Sequence, residues 1–316
     1  MDSLLLCARA LNESDTAAAF SLYKEIFELQ PSGYLGTAAY SGMITSGGPE
    51  AVTLIASALT GSDPVLWEAA LPTIRDMKDP AITGECCRLL PQLPPALLPG
   101  LLGALAQRGD RTAAPAIAPF VNNADATVSA AALDALTLIG DGSSVPALVA
   151  AAARGVEPDA AKAALALLQI PGPDVSTALL ESLKSAGATE TSVIAKVLGQ
   201  RRDASVAPVL RELVQNPDAC IRAAAAQALG EIGDATDVEV LCLAASKAED
   251  EKQCLAVQQA LVSLGIRLET PENYIAGILA GLSQEDTALR CLLFNVCGQL
   301  GHAALLEALN KAAGAA

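Results

Sequence analysis

Gly140-Asp141-Gly142-Ser143-Ser144-Val145-Pro146-Ala147-Leu148 is the stretch whose recurrence decides the fold. Its opening Gly-Asp pair returns as Gly109-Asp110, 31 residues upstream, and as Gly233-Asp234, three times 31 residues downstream. Lys78-Asp79 and Arg202-Asp203 fall in the same phase. Carried along the chain, this phase selects Gly48, Asp79, Asp110, Asp141, Gly172, Asp203 and Asp234. All are residue types that form turns, by tolerating unusual backbone angles or by bonding their own backbone. The aspartates Asp79, Asp110, Asp141, Asp203 and Asp234 are therefore read as the structural turns of an internal repeat.

Columns measured from those turns are apolar. Seven residues after each mark stand Ile55, Cys86, Ile117, Leu148, Leu179, Leu210 and Leu241. Twenty-two residues after stand Ala70, Leu101, Ala132, Ala163, Ile194, Ala225 and Ala256. Twenty-six residues after stand Ile74, Leu105, Leu136, Leu167, Leu198, Leu229 and Ala260. The last two columns are four residues apart and so share one helical face. Pro115, Pro146 and Pro208 fit the first turn of a first helix, where the missing amide has no partner to lose. Asp125, Asp159 and Asp218 fit the start of a second helix, which an acidic side chain caps. Each unit is then a helical hairpin that buries its apolar side only against the next hairpin.

The expected architecture is all-α, an α-solenoid wound as a right-handed superhelix of about nine hairpins. Residues 48–264 form the regular repeats of 31 residues. Residues 1–47 form an irregular N-terminal cap of one or more hairpins, carrying Phe20, Tyr23, Phe27, Tyr34 and Tyr40. Residues 265–316 form irregular C-terminal capping repeats, loosened by the insert Glu269-Thr270-Pro271-Glu272-Asn273. Terminal repeats depart from the pattern because they cover the ends of the stack.

Hydrophobic residues make up 52% of the chain and aromatics only 3%, so the core is built from Ala, Leu, Val and Ile. The net charge of −15 comes with no cluster of Lys and Arg denser than Arg201-Arg202. A duplex-binding protein needs a basic face to displace counterions, so nucleic acid is not an expected partner. No apolar run reaches the roughly 18–20 residues that cross a bilayer, so no membrane span is expected. The N-terminus lacks the basic start of a signal peptide, which points to the cytoplasm, with export requiring a leader removed from the native protein. The 8 cysteines contain no Cys-x-x-Cys and the chain has 1 histidine, His302, so neither a zinc site nor any other cofactor is expected. Most of the cysteines sit among Leu and Ala and read as small buried hydrophobes. His302, after Gly301, reads as a helix-start or turn residue, and Trp67, after Asp63-Pro64, as a packing residue.

The segments Gly140 to Leu148, Asp218-Ala219-Cys220-Ile221-Arg222-Ala223-Ala224-Ala225 and Ala228-Leu229-Gly230-Glu231-Ile232-Gly233-Asp234 resemble HEAT repeats of the phycobilisome-lyase type. In that family the Asp and Arg found here at Asp218 and Arg222, and again at Asp286 and Arg290, tie adjacent turns. Residues 64 to 313 are also similar to the HEAT region of large bacterial exported proteins that often carry a 3-keto-disaccharide hydrolase-type domain. The matching segments are Leu101 to Asp110, Leu165 to Val175 and Leu198 to Asp203. No strands of such a hydrolase are present, and no catalytic residue is carried over. Deoxyhypusine hydroxylase, an enzymatic HEAT family, binds iron through repeated His-Glu pairs that this chain lacks.

These resemblances imply a non-catalytic HEAT-repeat scaffold that binds a protein or peptide, as a module of a larger bacterial protein. The alternative is a bilin-lyase-like subunit that holds a tetrapyrrole for transfer. In HEAT stacks the second helices line the partner groove. Polar residues on those helices off the apolar columns are therefore the candidate contacts: Lys196, Gln200, Arg201, Arg222, Gln227, Gln258 and Gln259.

Overall fold

A computed structural model describes residues 2–29 and 33–314, and every regular element among them is helical. The chain divides into two compact units.

The first unit comprises Met1–Ala151 and Val156–Pro171. It carries α1 (Asp2–Leu11), α2 (Thr16–Glu28), α3 (Tyr34–Ser46), α4 (Glu50–Thr60), α5 (Pro64–Asp76) and α6 (Pro80–Leu89). These are followed by α7 (Leu98–Arg108), the short α8 (Ala114–Ile117), α9 (Ala126–Ile139), most of α10 (Val145–Ala153) and α11 (Asp159–Gln169). Within this unit α3, α5, α7, α9 and α11 pack in one row, and α4, α6 and α8 in a second.

The second unit comprises Ala152–Gly155 and Gly172–Ala316. It carries α12 (Pro173–Leu183), α13 (Ala188–Gln200), α14 (Ala207–Leu213), α15 (Ala219–Ile232) and α16 (Asp237–Ser246). Next come α17 (Glu251–Arg267), α18 (Glu272–Leu282), α19 (Thr287–Leu300) and α20 (Ala303–Gly314). Here α13, α15, α17 and α19 form one row, and α16, α18 and α20 another. From α2 to α19 the helices succeed one another as nine pairs, the number the repeat predicted. The protein is an all-α solenoid.

Four of the turn aspartates, Asp79, Asp110, Asp141 and Asp203, are helix N-caps, and Asp234 makes the same bonds two residues ahead of Thr236, the N-cap of α16. Asp79 Oδ1 accepts the amide of Ala81 at 2.9 Å and caps α6. Asp110, Asp141, Asp203 and Asp234 accept the amides of Thr112, Ser143, Ser205 and Thr236 at 3.1, 2.9, 3.1 and 2.8 Å. In each of these four the same oxygen also accepts the hydroxyl two residues on. Asp-x-Ser/Thr is thus the working unit of the turn, and it satisfies an amide that a helix start leaves open. Gly172 holds the same phase without a carboxylate. Its φ of 122° is one that L side chains rarely adopt, which accounts for glycine there.

The apolar columns are the core. All seven residues of the first column are fully buried, as are Ala70, Leu101, Ala132, Ala163, Ile194 and Ala225 of the second. Ala256 departs from this, being half-buried while the next residue, Val257, is 3% exposed. The repeat lengthens by one residue at this point, from Gly233 to Gly265, which turns α17 slightly relative to the phase. Ala260 and Leu261 are both buried as a result.

Small residues set the spacing of the second unit's inner row. A Cβ on Gly199 would lie 2.6 Å from the Ala228 Cα, and one on Gly230 would lie 2.8 Å from the Ala260 Cα. Helices α13, α15 and α17 therefore meet backbone to backbone at these points. Arginines then tie one turn to the next. Arg108 donates to the carbonyls of Ile74, Met77 and Asp79 and to Thr83 Oγ1. Arg111 donates to the Gly140 carbonyl at 2.6 Å, and Arg267 donates to the Gly233 carbonyl.

Candidate functional site

Exposed polar side chains of the second unit's inner row gather in two adjoining concavities, of about 290 Å³ and about 240 Å³. Gln227 on α15 and Gln259 on α17 line both, so the two form one groove. Lys196 on α13 lines one end, and Gln299 on α19 lines the other. Lys196, Gln227 and Gln259 are exposed and form no hydrogen bond or ion pair with any described residue. Three of the seven expected contacts are thus brought together.

The other four stand elsewhere. Gln200 is exposed at the last residue of α13, and Gln258 is half-buried on α17; neither lines the groove. Arg201 is not a free groove cation. It is the half-buried C-cap of α13, and its Nη2 donates to the Gly172 carbonyl at 3.0 Å. Arg201 stands two residues before its turn mark, as Arg108 does, and both reach back to the preceding turn. Arg222 is likewise not a surface contact, being 8% exposed. Its guanidinium donates to the carbonyls of Asn216 and Pro217 at 3.1 and 2.7 Å and to Gln253 Oε1 at 2.8 Å. A guanidinium buried that far needs all those acceptors, because stripping its water without replacing the bonds is costly.

The Asp218–Arg222 tie implied by the family resemblance is also built differently. Asp218 caps α15 by accepting the amides of Cys220 and Ile221, while Arg222 turns toward α17. Ser129 plays the equivalent part in the first unit, its hydroxyl oxygen standing 2.7 Å from the Val121 carbonyl and 2.8 Å from Asp159 Oδ2, the two acceptors that share its one proton. At the second position Asp286 caps α19, and the Arg290 guanidinium lies 5.9 Å from the centre of the Phe294 ring.

The groove also contains residues that sequence reasoning missed. Leu255 is 48% exposed beside Gln259, with Lys252 and Cys220 close by. Glu231 and Ser263 continue the wall toward Gln299. Stepping three or four residues from Gln227 and Gln259 along their helices would have found them. Asp250, at the rim, accepts the Gln253 amide and side chain at 2.8 and 3.0 Å, and these bonds hold its carboxyl below the usual range. The groove therefore presents two ammonium groups near one fixed carboxylate, then carboxamides, then Glu231.

The remaining sequence candidates have structural surroundings. All 8 cysteines are free thiols. Burial pushes Cys86 and Cys242 up to about 12 and Cys297 to about 11, so these stay protonated at neutral pH. Cys87 beside Cys86 is half-buried, and burial raises it as well. Trp67 is half-buried, and its ring N–H donates to the Gly61 carbonyl at 3.1 Å. His302 links the left-handed C-cap Gly301 of α19 to α20, and its carbonyl accepts the Leu306 amide. No group of three or more metal-ligating side chains occurs among the described residues. No helix among them is long and apolar enough to cross a membrane.

The sequence model of HEAT repeats matches residues 176–262, the part of the chain that builds most of this groove. No curated protein matches in sequence. Among solved structures, the chain is similar to the complex of CpcE and CpcF of phycocyanin lyase from Nostoc sp. PCC7120. That likeness has 20% identity over 73% of this chain and 94% of that one, with a TM-score of 0.34. An engineered protein aligns at 18% identity over 99% of this chain and 93% of its own, with a TM-score of 0.40. Human deoxyhypusine hydroxylase aligns at 19% identity over 85% of this chain and all of its own, with a TM-score of 0.32. The repeat phase, the hairpins and the family match agree: residues 176–262 match HEAT repeats, within a chain of HEAT-like helical hairpins.

Proposed function

We propose that the chain is a non-catalytic scaffold that binds a protein or peptide along the groove of α13, α15, α17 and α19, as a module of a larger bacterial protein. One observation carries this reading. Successive inner helices each place a long polar side chain, Lys196, Gln227 and Gln259, in one groove with no partner inside the described chain. Nearby polar groups, Arg201 and Arg222, are bound to backbone. Carboxamides both donate and accept, so they match the amides of a polypeptide. Leu255 supplies an exposed apolar contact between them, of the kind that anchors interfaces when a partner excludes water from it.

A peptide selected from a displayed random library on the immobilised protein provides the test. The Lys196→Glu/Gln227→Glu variant is expected to bind it about tenfold or more weakly, a loss of at least about 1.4 kcal/mol, with unchanged melting. Exposed Glu239 on α16 lies outside the groove, and Glu239→Lys is expected to leave binding intact. Binding that ignores the groove variant and responds to Glu239→Lys would put the contact surface on the even-numbered helices. A bilin-lyase-like subunit would instead take up a linear tetrapyrrole. Titration of the protein into such a pigment, followed by its visible absorbance, separates the two readings.

A further inference from the structure

In the second unit, one face of an inner-row helix receives the next helix of that row. On α15, capped by Asp218, this face holds Arg222, Ala226 and Gly230, which follow the cap at steps of four residues. All three are buried. A Cβ on Gly230 would lie 2.8 Å from the Ala260 Cα of α17, and Arg222 Nη2 donates to Gln253 Oε1 of the same helix at 2.8 Å. Glu249, just before α17, adds a carboxylate oxygen 3.6 Å from that nitrogen. On α13, with Gly187 as N-cap, the same positions hold Thr191, Ala195 and Gly199, again all buried. Gly199 meets Ala228 of α15 as Gly230 meets Ala260.

Helix α19 repeats this face, but no described helix lies against it. Its cap is Asp286, and the three positions hold Arg290, Phe294 and Gly298. Arg290 and Phe294 are half-buried and Gly298 is exposed. No described residue comes within 4 Å of a Cβ placed on Gly298. The Arg290 guanidinium stands 5.9 Å from the centre of the Phe294 ring and makes no hydrogen bond or ion pair with any described residue. Helix α20 packs on α18 and α19, continuing the row of α16 and α18. The row of α13, α15, α17 and α19 has no described helix after α19. An arginine and a glycine that are covered on α15 thus recur on α19 uncovered.

We infer that this face of α19 docks a helix of a partner protein, laid on it as α17 lies on α15. The internal contact states what that helix must carry. Arg222 meets Gln253 and Gly230 meets Ala260, so the two helices run parallel. Between Gln253 and Ala260 stands Val257, which is 3% exposed. The docked helix therefore has an acceptor in its first turn, an apolar residue four positions on and an alanine three positions further. Arg290 selects a carboxylate as that acceptor. Arg222 also has the carbonyls of Asn216 and Pro217, whereas Arg290 has no such bond, and a charged acceptor makes the stronger one. The alanine is needed because only a small side chain lets a backbone reach Gly298. Gln299 lines the partner groove from five residues beyond Phe294, about 140° around α19, so this surface is separate from the groove and does not depend on it.

Fluorescence anisotropy of the Met1–Ala316 chain with a labelled helical peptide tests this. The probe is the Asp250–Arg267 segment carrying Gln253→Glu and Cys254→Ser, held helical by a hydrocarbon cross-link in place of Gln258 and Val262 on its far side. It is expected to bind one to one. Gly298→Leu in the chain should weaken binding about tenfold or more, as should Ala260→Leu in the probe. The probe that keeps Gln253 should bind roughly three- to tenfold more weakly than the Glu form, and Arg290→Gln should erase that difference. Circular dichroism melting establishes that each variant is folded. The groove variant Lys196→Glu/Gln227→Glu should bind the probe like the unaltered chain, which keeps this test independent of the groove. Absence of one-to-one binding overturns the inference, as does indifference to Gly298→Leu or loss of binding in the groove variant. Self-association of the chain in sedimentation velocity that Gly298→Leu abolishes would overturn it as well, by making a second copy the occupant.

Discussion

Asp237 illustrates how much a single carboxylate holds together. It is fully buried at the start of α16 and accepts Arg211 Nε at 2.5 Å and the Asp234 amide at 2.8 Å. Arg211, on α14, keeps about a third of its side chain exposed, with Asp234 as a second partner. Asp237→Ala leaves the arginine half-solvated and the Asp234 amide unbonded. The expected loss is roughly 1.5–3 kcal/mol, the size of a hydrogen bond to a charged group, read as a lower urea midpoint. Asp237→Asn keeps one acceptor and is expected to lose less. Arg201 and Arg222 carry the same lesson for site residues. Their type and helix position are visible in the sequence, but the carbonyls they reach lie on other helices or at preceding turns.

Two helix glycines look alike in the sequence and behave differently in the fold, and helix spacing depends on only one of them. Gly230 faces the Ala260 Cα at a distance no Cβ can occupy, whereas Gly103, within α7, has open space where its Cβ would be. Gly230→Ala should therefore force α15 and α17 apart and destabilise the protein by about 1–3 kcal/mol, the usual cost of overpacking. Gly103→Ala should stabilise it by about 0.5–1 kcal/mol, because alanine is the better helix former and the less flexible unfolded residue. Thermal melts of the two variants in parallel check the opposite signs. A matching shift for both would mean that helix propensity, not contact, governs these positions. The hairpins themselves were legible, since apolar columns and turn marks recur at fixed distances. The slip at α17 needed the structure, because one added residue changes which of Ala256 and Val257 points inward.

At the scale of the whole molecule, repeated caps give stability a shared dependence on pH. Hydrogen bonds from Thr127, Ser205 and Thr236 lead the causes that hold Asp125, Asp203 and Asp234 below their ordinary value of 3.8. A carboxyl with a depressed folded value stabilises the fold fully above the ordinary value, and that contribution is lost as pH falls through the folded one. Urea midpoints should stay level from about pH 7 to about pH 5 and drop below about pH 4. The double variant Asp203→Asn/Asp234→Asn is expected to flatten the drop. An equally steep drop would move its origin to other carboxylates. Each lost cap acts on its own hairpin and the next, because a repeat contacts only its neighbours.

The sequence by itself determined the class of fold, the repeat length, the turn aspartates and nearly all of the buried columns. These are local or periodic properties, fixed by helix geometry and by the need of each hairpin to bury one face. Tertiary structure alone decided which polar side chains are spent on holding the stack and which are left unbonded in the groove. Lys196, Gln227 and Gln259 remain free while Arg201 and Arg222 do not, because a hydrogen bond to a residue about 30 positions away leaves no mark on either segment. A cavity beside α1 belongs to the same category. Asn12 and Arg9 line a concavity only because α2 and α3 close the opposite wall.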